Sequence, residues 1–340
     1  MNNLFTSTVR LRLRRWLFII LKILFPALLL YLLNKHGYLD FMTIARIELS
    51  STIIFYLAAM LLLVLASLAV IAVRLQILLA PHGIHPGFIR SLGVTLIGAL
   101  SGSVLPGMIA GDVVKAIYLF GDSSERRSSS VSAVLIDRLV GLFSLVLLGA
   151  CASLTALLSG HSGNIRTILL FSITLLAVLL VSGTAFMYLI LGPGRRTYRR
   201  LRDRLPRKFV ALTTSLFLYR HHPALLIQAT LLSVFSHAMI VATFIIAAEV
   251  LKVPLGIGLH MILDPVAMLL NAVPIAPGGL GITESGFAYL YQLSGSAAGA
   301  AVSLAGRFAQ YTVFIVGGFW ALFSLRRRIK QHANPQREII

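Results

Sequence analysis

Long apolar runs decide the solvent of this chain before any motif does. Stretches near residues 16–33, 52–80, 131–158, 167–191, 224–250 and 299–325 each approach or exceed the roughly 20 residues that cross a hydrocarbon core about 30 Å thick as a helix. None shows the alternation of a barrel strand. The 340 residues are 58% hydrophobic and only 12% charged, with a mean hydropathy of +0.90, far from the balance of soluble domains. The expected fold is therefore an all-α polytopic membrane protein with about six spanning helices. Arg10, Arg12, Arg14 and Arg15 precede the first run without a small-residue cleavage site after it, so this segment reads as a retained signal anchor. The single cysteine, Cys151, lies inside a run, is expected to pack there, and cannot form an intrachain disulfide.

The distribution of charge orients the chain. The net charge of +19 raises a nucleic-acid reading, but the cations cluster between the apolar runs: four before residue 16, Arg90, Arg126 and Arg127, nine between Arg195 and Arg220, and five after residue 325. No nucleic-acid module accompanies them, and none is expected as a partner. The positive-inside rule places both termini and the basic loop 192–222 in the cytoplasm of a bacterial-type inner membrane. The chain then divides into a basic N-terminus (1–15), one membrane domain (16–325) and a basic tail (326–340).

This count also constrains residues 91–120. A single crossing there would move the nine-charge loop to the outside. Each half, split at Pro106 and Gly107, reaches only about 22 Å as a helix, short of the core. A re-entrant hairpin from the cytoplasmic side is expected. Residues 259–292 repeat the grammar from the opposite side: an apolar half, a Pro277-Gly278-Gly279 break, Gly281, an acid at Glu284, then an apolar half. SVLPGMIAGDVVKAIYL and VPIAPGGLGITESGFAYL form a weak inverted repeat, with Gly111, Asp112 and Lys115 in the first copy. Opposed broken helices point to a midplane substrate site, because the second half-helix presents N–H groups and a positive dipole end to an anion such as phosphate. The Gly-rich stretches GALSGSV and SGSAAGAAVSLAG read as close helix contacts.

Asp112, Lys115, Asp137, Arg138, Asp264, Glu284 and Arg307 interrupt apolar sequence. Unpaired, they would cost on the order of 20 kcal/mol in total, so they are expected to pair or face water. Asp112 and Lys115 are one turn apart, and Glu284 with Arg307 is the second expected pair. Asp137 and Arg138 point in different directions and need separate partners. Asp264, before Pro265, is expected to cap or kink its helix. His82 and His85 read as turn residues and His237 as a hydrogen-bonded packing residue; no metal site and no cofactor is expected.

Taken together, GDVVKA (111–116), DRLVGL (137–142), PGGLGITESGF (277–287) and Arg307 resemble the lysylphosphatidylglycerol synthase transmembrane-region family, also called the flippase-like domain family. The resemblance implies movement of a lipid between leaflets. Lys115 departs from the arginine usual in the first motif, keeping the charge but losing bidentate geometry. The longest soluble segment, about 30 residues, is far too short for an aminoacyl-transferase domain.

The expected function is translocation of a phosphate-containing lipid, an aminoacylated phospholipid or a polyprenyl-phosphate-linked glycolipid, without catalysis. The expected substrate-binding residues are Pro106, Gly107, Gly111, Asp112, Lys115, Pro277, Gly278, Gly279, Gly281 and Glu284, supported by Asp137, Arg138 and Arg307. Membrane lipids are the expected partners, with a lipid-modifying enzyme as a further one. Two other classes fit the same features: an accessory subunit of a lipid glycosyltransferase system, and an intramembrane lipid-phosphate transferase or phosphatase. No aspartate-rich metal motif, nucleophile-base pair or P-loop supports the catalytic class.

Overall fold

A computed structural model describes residues 48–105, 109–120, 124–158, 214–216, 218–272 and 276–332, together with residues 24, 27–37 and scattered positions between 166 and 182. Pro106 and Gly107, most of the expected spans 16–33 and 167–191, and most of the basic loop lie outside these residues. Every regular element among them is helical. They are α1 (Ser51–Leu79), α2 (Phe88–Val104), α3 (Ile109–Leu119), α4 (Ser124–Leu158), α5 (Pro223–Val250), α6 (Ile257–Leu269), α7 (Ile282–Leu293) and α8 (Gly299–His332).

Local chemistry sets the ends of these helices. Ser50 caps α1 by accepting the Ile53 N–H at 3.3 Å, and a 3-10 turn through Pro81 stops it, with Gly83 at φ 67° turning the chain. Pro223 opens α5 at a position where its missing N–H costs nothing. Four segments, Ser51–His82, Arg126–Leu158, Pro223–Val250 and Gly299–Ser324, are long and apolar enough to cross a membrane. The helices α2, α3, α6 and α7 are each 17 residues or shorter and fall into two consecutive pairs, α2 with α3 and α6 with α7, each interrupted where the sequence places its Pro/Gly break.

Apolar burial alone does not drive association in lipid, so the helix contacts rely on small residues and polar pairs. Helix α1 packs along α5, where Ser67 Oγ and Ser236 Oγ lie 2.9 Å apart in a buried contact. Helix α8 packs on α2 and α7, and α4 packs on α5 and α6. A Cβ on Gly299 would strike the Phe287 carbonyl, and one on Gly306 would strike the Phe244 ring. Both glycines belong to SGSAAGAAVSLAG; in GALSGSV a Cβ on Gly98 would strike the Lys115 side chain and Gly102 lies against Gly111, so both Gly-rich stretches mark close helix contacts, as expected from the sequence. Large side chains such as Phe55, Leu62, Leu231, Phe235, Phe308 and Phe319 point outward, as on a surface whose solvent is hydrocarbon. Cys151 is exposed on α4 rather than packed. This corrects the sequence reading: a run that is apolar all round does not reveal which of its faces meets lipid.

Candidate functional site

Helix α3 is the segment IAGDVVKAIYL, which places Asp112 in its first turn and Lys115 one turn later. The close passage of α3 over α2 fixes where these two residues point. A Cβ on Gly111 would collide with the Gly98 carbonyl and come within 3.1 Å of Gly102. A Cβ on Gly98 would collide with the aliphatic stem of Lys115, so the lysine lies in a notch that only glycine leaves open.

Lys115 Nζ is 3.9 Å from Asp112 Oδ1 and 3.7 Å from Asp137 Oδ2, beyond hydrogen-bond reach of both. Arg138 is 3.6 Å from Asp112 Oδ2. Asp137 is held differently: Arg74 Nε donates to its Oδ1 at 2.7 Å, while Arg74 Nη1 donates to Ser233 Oγ at 2.5 Å. Five charges therefore alternate in sign along one chain, Arg74, Asp137, Lys115, Asp112 and Arg138. Its inner end is short and almost fully buried, with Arg74 and Asp137 side chains 6% and 4% exposed. Its outer end is longer and more open, with Asp112 at 19% and Arg138 at 22%. The different partners expected for Asp137 and Arg138 are present, yet they belong to one network. The sequence reading did not select Arg74; its signal was a lone arginine in the otherwise apolar run 52–80.

The second break is built by left-handed glycines. Gly278 (φ 55°) and Gly281 (φ 81°) adopt backbone conformations that side chains disfavour. Glu284, in the first turn of α7, reaches back so that the Gly281 N–H donates to its Oε2 at 2.6 Å. Its Oε1 lies 3.1 Å from Arg307 Nε and accepts from Ser303 Oγ at 3.4 Å. The expected Glu284–Arg307 pair is formed, but the expected roles change. Glu284 is fully buried and satisfies its own helix N-terminus, so the Gly281 N–H faces a carboxylate of the chain and not an outside anion. Arg307 completes its fork on the Gly278 carbonyl at 2.8 Å, Tyr311 Oη at 3.1 Å and Asn271 Oδ1 at 3.3 Å. These three hydrogen bonds use three of its five N–H groups, and Nε faces the Glu284 carboxylate.

The two short-helix pairs meet at one cavity of about 210 Å³, to which α2 and α3 contribute Gly98, Gly102, Gly111, Asp112 and Lys115, α4 contributes Arg138, and the second break and α8 contribute Gly278, Arg307 and Tyr311. Gly111, Asp112, Lys115, Arg138, Gly278 and Arg307 are thus brought together. Asp137 and Glu284 stand behind the wall, each holding a cation, and Gly279 and Gly281 are buried away from the cavity. Pro277 lies in the 3-10 turn Pro277–Gly279. Among the described residues the charged lining consists of three cations and one carboxylate, with Lys115 and Arg307 each paired to a further carboxylate behind it.

A third polar cluster escaped the sequence reading. Tyr291 Oη donates to Asp264 Oδ1 at 2.8 Å, and His260 Nδ1 lies 2.8 Å from Tyr291 Oη and 3.1 Å from Asp264 Oδ2. Asp264 sits inside α6 and ties it to α7; of the expected cap or kink, it is not at a helix end to cap, and it directly precedes Pro265 within the helix. His237 Nε2 donates to the Gly141 carbonyl at 2.9 Å, the packing role the sequence suggested.

Spanning helices, paired short helices and an internal cavity with an excess of cations define a multi-pass α-helical membrane protein with a polar site inside its helix bundle. The family model described as Lysylphosphatidylglycerol synthase TM region matches residues 19–318, and the chain belongs to that family. No curated protein and no solved structure matches the chain.

Proposed function

We propose that this protein is a lipid translocase that carries a phosphate-bearing headgroup across the membrane through the cavity between its two broken helical pairs. One observation carries the reading: Lys115, Arg138 and Arg307 converge on a cavity whose only lining carboxylate among the described residues, Asp112, already lies between two of them. Buried cations in excess over anions have a high electrostatic cost without a counter-ion, and an anionic headgroup supplies one. The distances divide the labour. Arg74 and Arg307 are fixed by short hydrogen bonds, whereas Lys115 and Arg138 are held by longer ion pairs and can exchange a carboxylate for a phosphate at little cost.

In this reading the two short pairs enter the bilayer as opposed re-entrant hairpins, 91–120 from the cytoplasm and 259–292 from outside. Both termini lie in the cytoplasm and the host is a bacterial-type inner membrane. The protein performs no covalent chemistry, and a lipid-modifying enzyme supplies or consumes its cargo. The test is reconstitution of the purified chain in vesicles carrying a headgroup-labelled phospholipid on one leaflet. Exchange of the label between leaflets faster than in protein-free vesicles is expected, and lost when Lys115 is replaced by Glu. Exchange at the protein-free rate would refute the proposal.

A further inference from the structure

We infer that the chain carries a second anion site, apart from the central cavity, that takes the phosphate of a phospholipid headgroup at the membrane surface. The binding stands without the translocase reading; only a place for this site on the lipid's route rests on it.

The start of α2, the end of α3 and the start of α4 enclose a pocket of about 140 Å³, with His85, Arg90 and Arg126 as its polar lining and Ile84, Leu119 and Phe120 as its apolar walls. That volume is about five times a water's share of the liquid, which suits a group of few heavy atoms such as one phosphate. The frame is held by side-chain hydrogen bonds to the backbone of two lining residues. Gln76 Nε2 donates to the Pro86 carbonyl at 2.6 Å, and Ser130 Oγ donates to the Leu119 carbonyl at 3.1 Å. Two guanidiniums thus converge from different helices on a fixed concave surface, and no acidic side chain among the described residues lines it. Arg90 itself makes no ion pair among the described residues. Guanidinium geometry matches phosphate. The α2 N-terminus adds its positive end beside Arg90, since the N-cap Gly87 has no side chain to close the first-turn N–H groups.

Phosphate reaches a membrane protein free or on a lipid, and the rim favours the lipid. Phe88, Ile89 and Phe120 are large apolar side chains left exposed around the arginine, suited to acyl chains and not to water. Leu119 lies one turn of α3 beyond Lys115, about 6 Å along the axis. The pocket therefore stands between the central cavity and the face that carries Arg126 and Arg127, the cytoplasmic face in the proposed orientation.

The test uses the full chain, with a benzophenone side chain in place of Ile89, in nanodiscs of an uncharged glycolipid without phosphate. Photocrosslinking to tracer phosphatidylglycerol is expected well above that to diacylglycerol with the same tails, at about 0.5 M salt to screen diffuse attraction. Arg90→Gln should lower the yield at least about five-fold. Arg127→Gln, the same charge change outside the pocket, and Lys115→Met, in the central cavity, should leave it unchanged. Arg90 and Arg127 are both exposed, so both variants should fold. No loss with Arg90→Gln, or an equal loss with Arg127→Gln, overturns the site. Loss with Lys115→Met places the captured lipid in the central cavity and overturns it as well. Arg90-dependent retention of radiolabelled inorganic phosphate without crosslinking of phosphatidylglycerol overturns the lipid source and makes this a site for soluble phosphate. Arg90-dependent capture of phosphatidylglycerol without leaflet exchange in vesicles refutes translocation alone and supports the site.

Discussion

Arg307 Nε lies 3.1 Å from Glu284 Oε1, and the same carboxylate closes the N-terminus of α7 through its other oxygen. One ion pair therefore fixes both the shape of the second break and the position of a cavity cation.

Removing one partner should cost far more than removing both. Arg307→Gln leaves a buried carboxylate without its cation, a loss of about 3–5 kcal/mol, and Glu284→Gln is the other single variant. The double variant Glu284→Gln/Arg307→Gln should recover much of this. Thermal unfolding in detergent for the two single variants and the double variant gives the coupling directly, and additive losses would mean the pair is not energetically linked.

The inner end of the alternating chain should behave in the same way. Arg74→Met leaves Asp137 with Lys115 at 3.7 Å as its one remaining cation, which draws the lysine from the cavity and weakens anion binding as well as stability. Adding Asp137→Asn should restore stability. Melting temperature and phosphatidic acid affinity measured in parallel separate the two effects.

Gly111→Val is a packing test. The new side chain would be driven into the Gly98 carbonyl, so α3 must move away from α2 at a cost of about 1–3 kcal/mol. Lower yield of monodisperse protein on size-exclusion chromatography is expected; an unchanged melting temperature would show that the two helices are not in backbone contact.

The buried Tyr291–Asp264–His260 cluster should be structural. Tyr291→Phe removes the hydroxyl that donates to Asp264 and should cost about 1–3 kcal/mol. Stability measured by chemical denaturation should fall while leaflet exchange stays unchanged.

Topology is open to cysteine labelling in a Cys151→Ser background, needed because Cys151 is exposed. A membrane-impermeant maleimide should reach Arg200→Cys from the cytoplasmic side and Gly256→Cys from the outside. Labelling of position 200 from the outside would invert the charge-based orientation.

Features governed by composition and local chain geometry were legible in the sequence. Apolar runs gave the helical membrane class, and Pro/Gly pairs gave both breaks. The Glu284–Arg307 pair was found because two charges stranded in adjacent apolar segments have few other places to go. Long-range packing was not legible. Arg74 was missed because its partner, Asp137, is 63 residues away and nothing in the sequence sets the register of α1 against α4. Glu284 was assigned to ligand because its residue type suits either use; only the side-chain direction shows that it folds back on Gly281. The triad on α6 and α7 escaped for the same reason, since His260 and Asp264 become notable only when Tyr291 arrives from the next helix.

Helix α3 has two unlike faces, and if the cavity carries a lipid headgroup, as proposed, their separation has a consequence for the lipid's tails. Asp112 and Lys115 look into the cavity, while Val113 and Ile117, 51% and 53% exposed, look outward toward hydrocarbon. On the proposed translocase reading, the wall between headgroup site and bilayer is a single helix of 11 residues, about 16 Å long. A lipid can place its head on one side of that wall and leave its chains on the other, never withdrawing them from the membrane. Such a protein reads the head and is blind to the tail: lipids that share a headgroup but differ in chain length or unsaturation should bind and cross alike, and a series of matched phosphatidic acids compared in one vesicle population measures it.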